Sequence, residues 1–331
     1  MIDINQDGKL DIYVCNTFSP TAALRKNLLF INQGNDSKGV PTFKQQAEEY
    51  GLANDSHSSH AAFLDYDRDG DLDVFIGVNF IDEQYPNQFK TQILDGTALN
   101  RDILLRNDWV ETLKHPVFTD VSKVSGIIYD GYSHSSTVVD INEDNWPDIY
   151  VANDYLSNDI IYVNNQDGTF SNRVGEVFKH LSYSAMGSDA ADINNDGLVD
   201  MVTTEMLPAY NKRRKLMMPA NSYQNYLNTE QYKYQYQYFR NTLQLNRGKN
   251  PETGLSVFSD IAFLADVQAT DWSWCPMLAD FDNDGFRDLV VTNGFPKDVT
   301  DQDFGAFRRG NLAADRRQRI ERRHRLLEDH A

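Results

Sequence analysis

Asp65-Tyr66-Asp67-Arg68-Asp69-Gly70-Asp71-Leu72-Asp73 puts an acid at every second position, with a glycine between the third and fourth. The side-chain oxygens of Asp65, Asp67, Asp69 and Asp73, with the backbone carbonyl of the seventh residue, Asp71, make the all-oxygen set that a hard cation of Ca2+ size prefers. Gly70 stands where the chain must fold back through positive φ, a region that a β-carbon resists.

The pattern recurs four more times. Asp3, Asn5, Asp7 and Asp11 form one copy, with Lys9 at the carbonyl position. Asp140, Asn142, Asp144 and Asp148 form another with Trp146; Asp192, Asn194, Asp196 and Asp200 a third with Leu198; Asp280, Asp282, Asp284 and Asp288 a fourth with Phe286. Asn145 replaces the glycine in one copy, and asparagine tolerates the left-handed region well. The expected cofactor is therefore Ca2+, up to five ions. The Asp65 and Asp280 loops offer four carboxylates and the others three plus an asparagine. Ligand charge predicts tightest binding at those two, and weakest at the Asp3 loop, which lacks a strand before it. The expected work of each ion is to tie two strands together rather than to touch a ligand.

An EF-hand loop carries a bidentate acid at position twelve and runs into a helix. Here position twelve is Val14, Ile76, Val151, Thr203 or Val291, and the runs that follow the acids (Ile12-Tyr13-Val14, Val74-Phe75-Ile76, Ile149-Tyr150-Val151, Met201-Val202-Thr203, Leu289-Val290-Val291) are β-branched or aromatic. Such runs read as buried strands. Each loop is thus expected to join two strands.

The net charge of -18 over 331 residues follows largely from these loops. Seventeen ligand carboxylates lie in them, and five Ca2+ would return ten positive charges, leaving -8. The body of the chain lacks the clustered Lys and Arg that phosphate contacts need, so nucleic acid is not an expected partner. Cys15 and Cys275 lie in or beside apolar strands and read as small buried hydrophobes rather than a disulfide. No run of about eighteen apolar residues marks a membrane-spanning helix, and no secretory leader is visible before the first loop.

Between loops the same elements recur at intervals of 62, 75, 52 and 88 residues. A strand of small residues precedes each of the last four loops: His60–Leu64, Ser136–Val139, Gly187–Ala191, Pro276–Ala279. A third strand ends in asparagine at Asn32, Asn107, Asn164 and Asn246, and a fourth is opened by Phe43, Phe118, Phe170 or Phe258. Four antiparallel strands per unit, repeated with insertions, describe the blades of a β-propeller.

The stretches YSHSSTVVDINEDNWPDIYVAND, MGSDAADINNDGLVD with EMLP, QYQYFRNTLQLN and TDWSWCPMLADFDNDGFRDLVVTNGF resemble the VCBS and FG-GAP repeat family, over most of residues 1–300. That family shares its propeller with the integrin α-subunit head and cartilage acidic protein. The resemblance implies an all-β propeller of four-stranded blades, calcium at the Asp and Asn positions named above, and a binding or adhesive role outside the cell or at its surface. Members beside outer-membrane glycan-uptake systems are the most similar, so a glycan or protein ligand and association with such a system are implied. Three full units and two partial ones fall short of the seven blades usual in such folds. The expectation is an incomplete or open ring belonging to a longer parent chain, with a short C-terminal helix.

Two segments fall outside the blades of the 1–300 propeller. Residues 206–240 form an insertion in the fourth unit, expected to be a loop with one short helix. Its Tyr223, Tyr226, Tyr232, Tyr234, Tyr236 and Tyr238 either strap the rim or offer faces to sugar rings. Residues 301–331 form a charged helical tail with Arg308, Arg309, Arg316, Arg317, Arg319, Arg322, Arg323 and Arg325, read as a solvated helix.

Ligand contact is expected where the innermost strands begin, near the axis, at His57, His60, His134, Trp272 and Trp274. The His57–His60 pair could hold a transition metal, but histidines so placed more often bond neighbouring turns, and the tryptophans read as core before platform. No catalytic residue is assigned, since no nucleophile motif or tuned acid–base pair is present. The alternative is a calcium-dependent polysaccharide lyase using His134, Tyr132 and Arg173.

Overall fold

The computed structural model describes residues 1–81, 88–217, 223–294 and 301–307. The chain begins with a three-stranded sheet, β1 (Ile12–Val14), β2 (Leu28–Asn35) and β3 (Pro41–Gln45). The second sheet, β4 (Ser58–Leu64), β5 (Asp73–Val78), β6 (Ile103–Val110) and β7 (His115–Asp120), and the third, β8 (Ser133–Val139), β9 (Asp148–Asn153), β10 (Ile160–Asn164) and β11 (Phe170–Asn172), are complete meanders.

A short helix α1 (Val174–Val177) and β12 (Leu181–Ser182) lead to the fourth sheet. It comprises β13 (Gly187–Ala191) and β14 (Asp200–Thr204), then, after the insertion, β16 (Thr242–Lys249) and β17 (Ser256–Asp260). The insertion holds two helices, α2 (Asn211–Met217) and α3 (Tyr223–Tyr232), where the sequence predicts one, and ends in β15 (Gln237–Tyr238), which pairs with β12. Among the described residues the fifth sheet comprises β18 (Ser273–Ala279) and β19 (Asp288–Asn293).

The predicted strands are all present, although the fourth strands at Phe43, Phe118 and Phe258 start earlier, at Pro41, His115 and Ser256. β4, β8, β13 and β18 lie side by side in that order and are the innermost strands. Their small residues serve that position, because hydroxyls link one strand to the next. Ser59 Oγ donates to Ser133 O at 2.7 Å, Thr137 Oγ1 and Ser188 Oγ lie 2.7 Å apart, and Leu278 N–H donates to Asp189 Oδ2 at 2.7 Å.

Apolar layers lie between successive sheets. Leu29, Ile31, Val74 and Ile76 join the first two, Phe75, Leu104, Ile149 and Tyr162 the second and third, Tyr150, Ile161, Met201 and Phe258 the third and fourth, and Val202, Leu243 and Leu289 the last two. Among the described residues no such cluster joins the fifth sheet to the first. The fold is an open propeller-like arc of blades, as the repeats predict.

Turns pack the outer strands β7 and β11 onto the blade before each. Phe170 N–H donates to Ser125 O at 2.8 Å, and Gly126 next to it holds φ +80°, where an added β-carbon would collide with the Phe170 carbonyl. Gly51 stands the same way against Phe118. Gly126→Ala combines left-handed strain with a backbone clash and is expected to cost about 2–4 kcal/mol in urea unfolding; an unchanged midpoint would contradict this packing.

The insertion straps the rim. Tyr232 and Tyr234 pack on Phe89, Tyr234 Oη donates to Lys90 O at 3.1 Å, and Gln237 Nε2 donates to Ser157 O at 2.7 Å. Tyr223, Tyr226 and Tyr236 instead stack in an exposed row, with ring centroids 6.0 and 5.9 Å apart. Tyr232 and Tyr234 thus strap the rim, as one expectation has it, and Tyr223, Tyr226 and Tyr236 leave their rings exposed. Residues 302–307 of the tail are helical; its arginines, from Arg308 onward, lie outside the described residues.

Both cysteines are free, with Cys15 half-buried and Cys275 exposed. The expectation of a buried Cys275 fails because Cys275 and Met277, two residues apart on β18, are both exposed on this last sheet, beside which the described residues place no outer strand.

Candidate metal centres and the axial cavity

Each acidic loop leaves an innermost strand and returns as the second, apart from the Asp3 loop, where a single bridge from Ile2 to Asp11 stands in for the first strand. No loop opens into a helix. The sixth residue turns through positive φ in every copy, at Gly8, Gly70, Asn145, Gly197 and Gly285.

The loop at Asp140 shows the common frame. Asp140 accepts the N–H groups of Asp144 and Asn145 at 3.0 and 2.8 Å, Asn142 that of Asp144 at 3.1 Å, and Asp144 that of Trp146 at 2.8 Å. Asp148 accepts the Ile141 N–H with one oxygen, at 3.0 Å, and the Asn164 N–H with the other, at 2.7 Å. The ninth carboxylate thus ties its loop to the third strand, and the asparagine that ends that strand donates back to the Pro147 carbonyl at 3.3 Å. Asp11 with Asn32, Asp73 with Asn107 and Asp200 with Asn246 repeat the arrangement at 2.7–2.8 Å. These four ninth carboxylates are fully buried, whereas Asp288 is exposed, with no third strand beside β19 among the described residues.

The residues of the Asp65 loop fit a bound cation. Asp65, Asp67 and Asp71 each bury an Oδ1 that has no hydrogen-bond partner, an arrangement that costs desolvation without return unless a positive charge sits among them. Oxygens of Asp65, Asp67 and Asp73 lie within 4.8 Å of one another, and those of Asp280, Asp282 and Asp288 do likewise. Burial pushes Asp73 up to about 8 and Asp148 up to about 7; burial and then the charges of Asp69 and Asp67 push Asp71 up to about 6. A divalent ion would reverse these shifts. Charge counting alone ranks the Asp65 and Asp280 loops together, yet only the former has its ninth acid buried and anchored.

The loops also touch one another. The Arg68 guanidinium donates to Asn145 O and lies 4.8 Å from the Trp146 ring centroid, while Asn195 Nδ2 donates to Gly285 O at 2.9 Å. Each contact meets the peptide next to a carbonyl predicted to face an ion.

Sequence reasoning missed a polar residue at the opposite end of each third strand. Asn27, Asp102, Asp159 and Asn241 accept N–H groups of Asn16, Val78, Asn153 and Glu205 at 2.7–3.0 Å, clasping the third strand to the end of the second. Their signal was present as an Asn or Asp five residues before each strand-ending asparagine.

At the face away from the loops, the starts of the innermost strands and the ends of the second strands surround a cavity of about 750 Å3. Of the five residues predicted there, His134, Trp272 and Trp274 line it, together with Phe18, Asn79, Ile81, Asp154, Tyr155, Met186 and Met206. His60 is instead held by the Ser59 and Ser136 hydroxyls at 2.9 Å each, and His57 packs on Phe80, so the two are committed to neighbouring groups rather than to a shared metal. The tryptophans are cavity wall rather than core. The three residues of the lyase alternative line different hollows: His134 the axial cavity, Tyr132, which packs on Tyr155 of that cavity's wall, a small pocket with Asp130, and Arg173, paired with Glu176 at 2.8 Å, an outer groove.

The profile of the FG-GAP-like repeat matches residues 3–76 and 117–203, two stretches that each contain loops and blades of this kind. The chain carries FG-GAP-like repeats. The two matched stretches hold the loops at Asp3, Asp65, Asp140 and Asp192, and the loop at Asp280 lies outside them. Among solved structures the chain is similar to one described as the specific recognition of non-reducing terminal N-acetylglucosamine by an Agrocybe aegerita lectin, at 15% identity and a TM-score of 0.38, over 86% of this chain and 61% of that one. The chain thus spans 61% of that protein's length. No curated protein matches it by sequence.

Proposed function

We propose that this protein is a calcium-stabilised, non-catalytic interaction module that works outside the cell or at its surface and binds a glycan or protein there. The observation that carries the reading is the set of buried, unpaired oxygens on Asp65, Asp67 and Asp71 at a turn between two inner strands. A cation there neutralises the carboxylates and fixes the strand pair. Asp3, Asn5, Asp7 and Asp11, with the Lys9 carbonyl, and the corresponding residues of the other loops would hold further ions. Loops of this modest charge suit the millimolar calcium outside cells. The placing of Arg173 in an outer groove, paired with Glu176, while His134 lines the axial cavity counts against a lyase, which needs its acid, base and carboxylate-neutralising group around one bond.

Electrophoresis through gels cast with neutral or uronate polysaccharide, with calcium present, tests the reading. The expected result is retarded migration in at least one gel, with the length of every polymer unchanged. Shortened polymer or new unsaturated chain ends would establish the enzyme instead.

A further inference from the structure

The axial cavity has the size of a small-molecule site, which typically spans roughly 300–1,000 Å3, and its wall combines broad apolar faces with a few polar atoms. Trp272, Trp274, Tyr155 and Phe18 supply aromatic rings, and Ile81, Met186 and Met206 fill between them. Trp274 is held in place: its ring stands edge-on to His134 with centroids 5.3 Å apart, and it covers Gly294, where any β-carbon would strike the indole.

Besides the hydroxyls of Thr17, Ser59 and Ser184, three polar groups of the wall present acceptors. Asn79 Oδ1 is buried without a partner, while its amide nitrogen donates to Tyr132 O at 3.4 Å. His134 faces the Met186 carbonyl through Nδ1 at 2.6 Å, so in the neutral ring the proton sits there and Nε2 is left as an acceptor. Asp154 adds a carboxylate that already takes the Tyr155 N–H at 2.6 Å. Behind this wall Glu205 accepts the N–H groups of Tyr183, Ser184 and Met206 at 2.7–3.1 Å and fixes the backbone of two lining residues.

A ligand that uses these three acceptors and the aromatic wall brings hydrogen-bond donors and a flat apolar face. An acidic ligand is disfavoured, because the described lining has no lysine or arginine and does have Asp154. A lone ammonium head needs aromatic faces closed tightly around one point, which a chamber of about 750 Å3 does not offer. A pyranose meets both requirements, with C–H groups for the indole and hydroxyls for Asn79, His134 and Asp154.

We propose that the axial cavity binds the end of a neutral glycan, one or two pyranose rings long, stacked on Trp274 and hydrogen-bonded through its hydroxyls to Asn79, Asp154 and His134. This rests on the reading of the chain as a binding module and names the ligand class for it.

The test is a titration of the calcium-loaded chain, followed by tryptophan fluorescence and saturation-transfer NMR. The probes are cellobiose, maltose, mannobiose, galactobiose and chitobiose, with digalacturonate and choline as contrasts. At least one neutral disaccharide is expected to bind, with Trp274→Ala weakening it at least tenfold and Asn79→Ala about three- to tenfold. Both variants should keep the calcium-dependent rise in melting temperature that wild type shows. If Trp274→Ala fails to fold, Asn79→Ala carries the test.

Preference for digalacturonate or choline, binding unaffected by both variants, or no neutral disaccharide bound while calcium still stabilises the protein would each overturn the proposal. Absence of calcium stabilisation in wild type would instead overturn the module reading on which it rests.

Discussion

Chelation of calcium with EGTA lowers the melting temperature of this protein by at least about 10 °C relative to millimolar calcium. An ion that binds only the folded state stabilises it by RT ln(1 + [L]/Kd), about 2.7 kcal/mol at a hundredfold excess over Kd. Each kcal/mol is worth roughly 2–4 °C in a domain of 150–250 residues, so two occupied loops suffice for the shift. The effect should centre on the second and third blades, where Asp73 and Asp148 are fully buried and bonded to third strands. Magnesium should substitute poorly, because it demands a smaller octahedral shell than these loops provide. Differential scanning fluorimetry in EGTA, magnesium and calcium checks this. Equal melting temperatures in all three would remove the stabilising role of the loops.

Asp73→Ala destabilises the protein by about 3–5 kcal/mol even in EGTA, whereas Asp69→Ala in EGTA stays within about 0.5 kcal/mol of wild type. Asp73 accepts the N–H of Tyr66 at 3.2 Å and that of Asn107 at 2.8 Å, at a site with no solvent exposure. Alanine leaves both donors unsatisfied, at about 1–3 kcal/mol each, and opens a cavity. Asp69 accepts only the Asp71 N–H, at 3.1 Å, in an exposed turn, so its removal matters chiefly when the ion is present. Urea unfolding of both variants with and without calcium separates the two roles. Indistinguishable losses in EGTA would mean that Asp73 does not anchor the third strand.

The loops and the strands beside them were legible because their information is local. Nine residues specify the turn, Gly70 or Asn145 marks its left-handed residue, and a β-branched run names the strand that follows. The clasp formed by Asn27, Asp102, Asp159 and Asn241 was equally present but escaped notice, because a single Asn or Asp before a strand resembles an ordinary turn residue until four copies are aligned on the strand-ending asparagine. The insertion was harder: Tyr223-Gln-Asn-Tyr-Leu-Asn-Thr-Glu-Gln-Tyr232 shows no apolar stripe, and the contacts its end makes, with Phe89 and Gln92, lie more than a hundred residues away. The axial cavity was half legible. His134, Trp272 and Trp274 followed from the rule that innermost strands begin near the axis. Asn79, Asp154 and Met206 come from second-strand ends in three different repeats, and no feature of one sequence pairs them.

Native mass spectrometry of the chain after calcium loading and buffer exchange tests the central claim most directly. The account predicts discrete additions of more than one and up to five calcium ions, with Asp69→Ala losing one addition from the wild-type set. A wild-type spectrum showing only the ion-free mass, at calcium concentrations found outside cells, would contradict it.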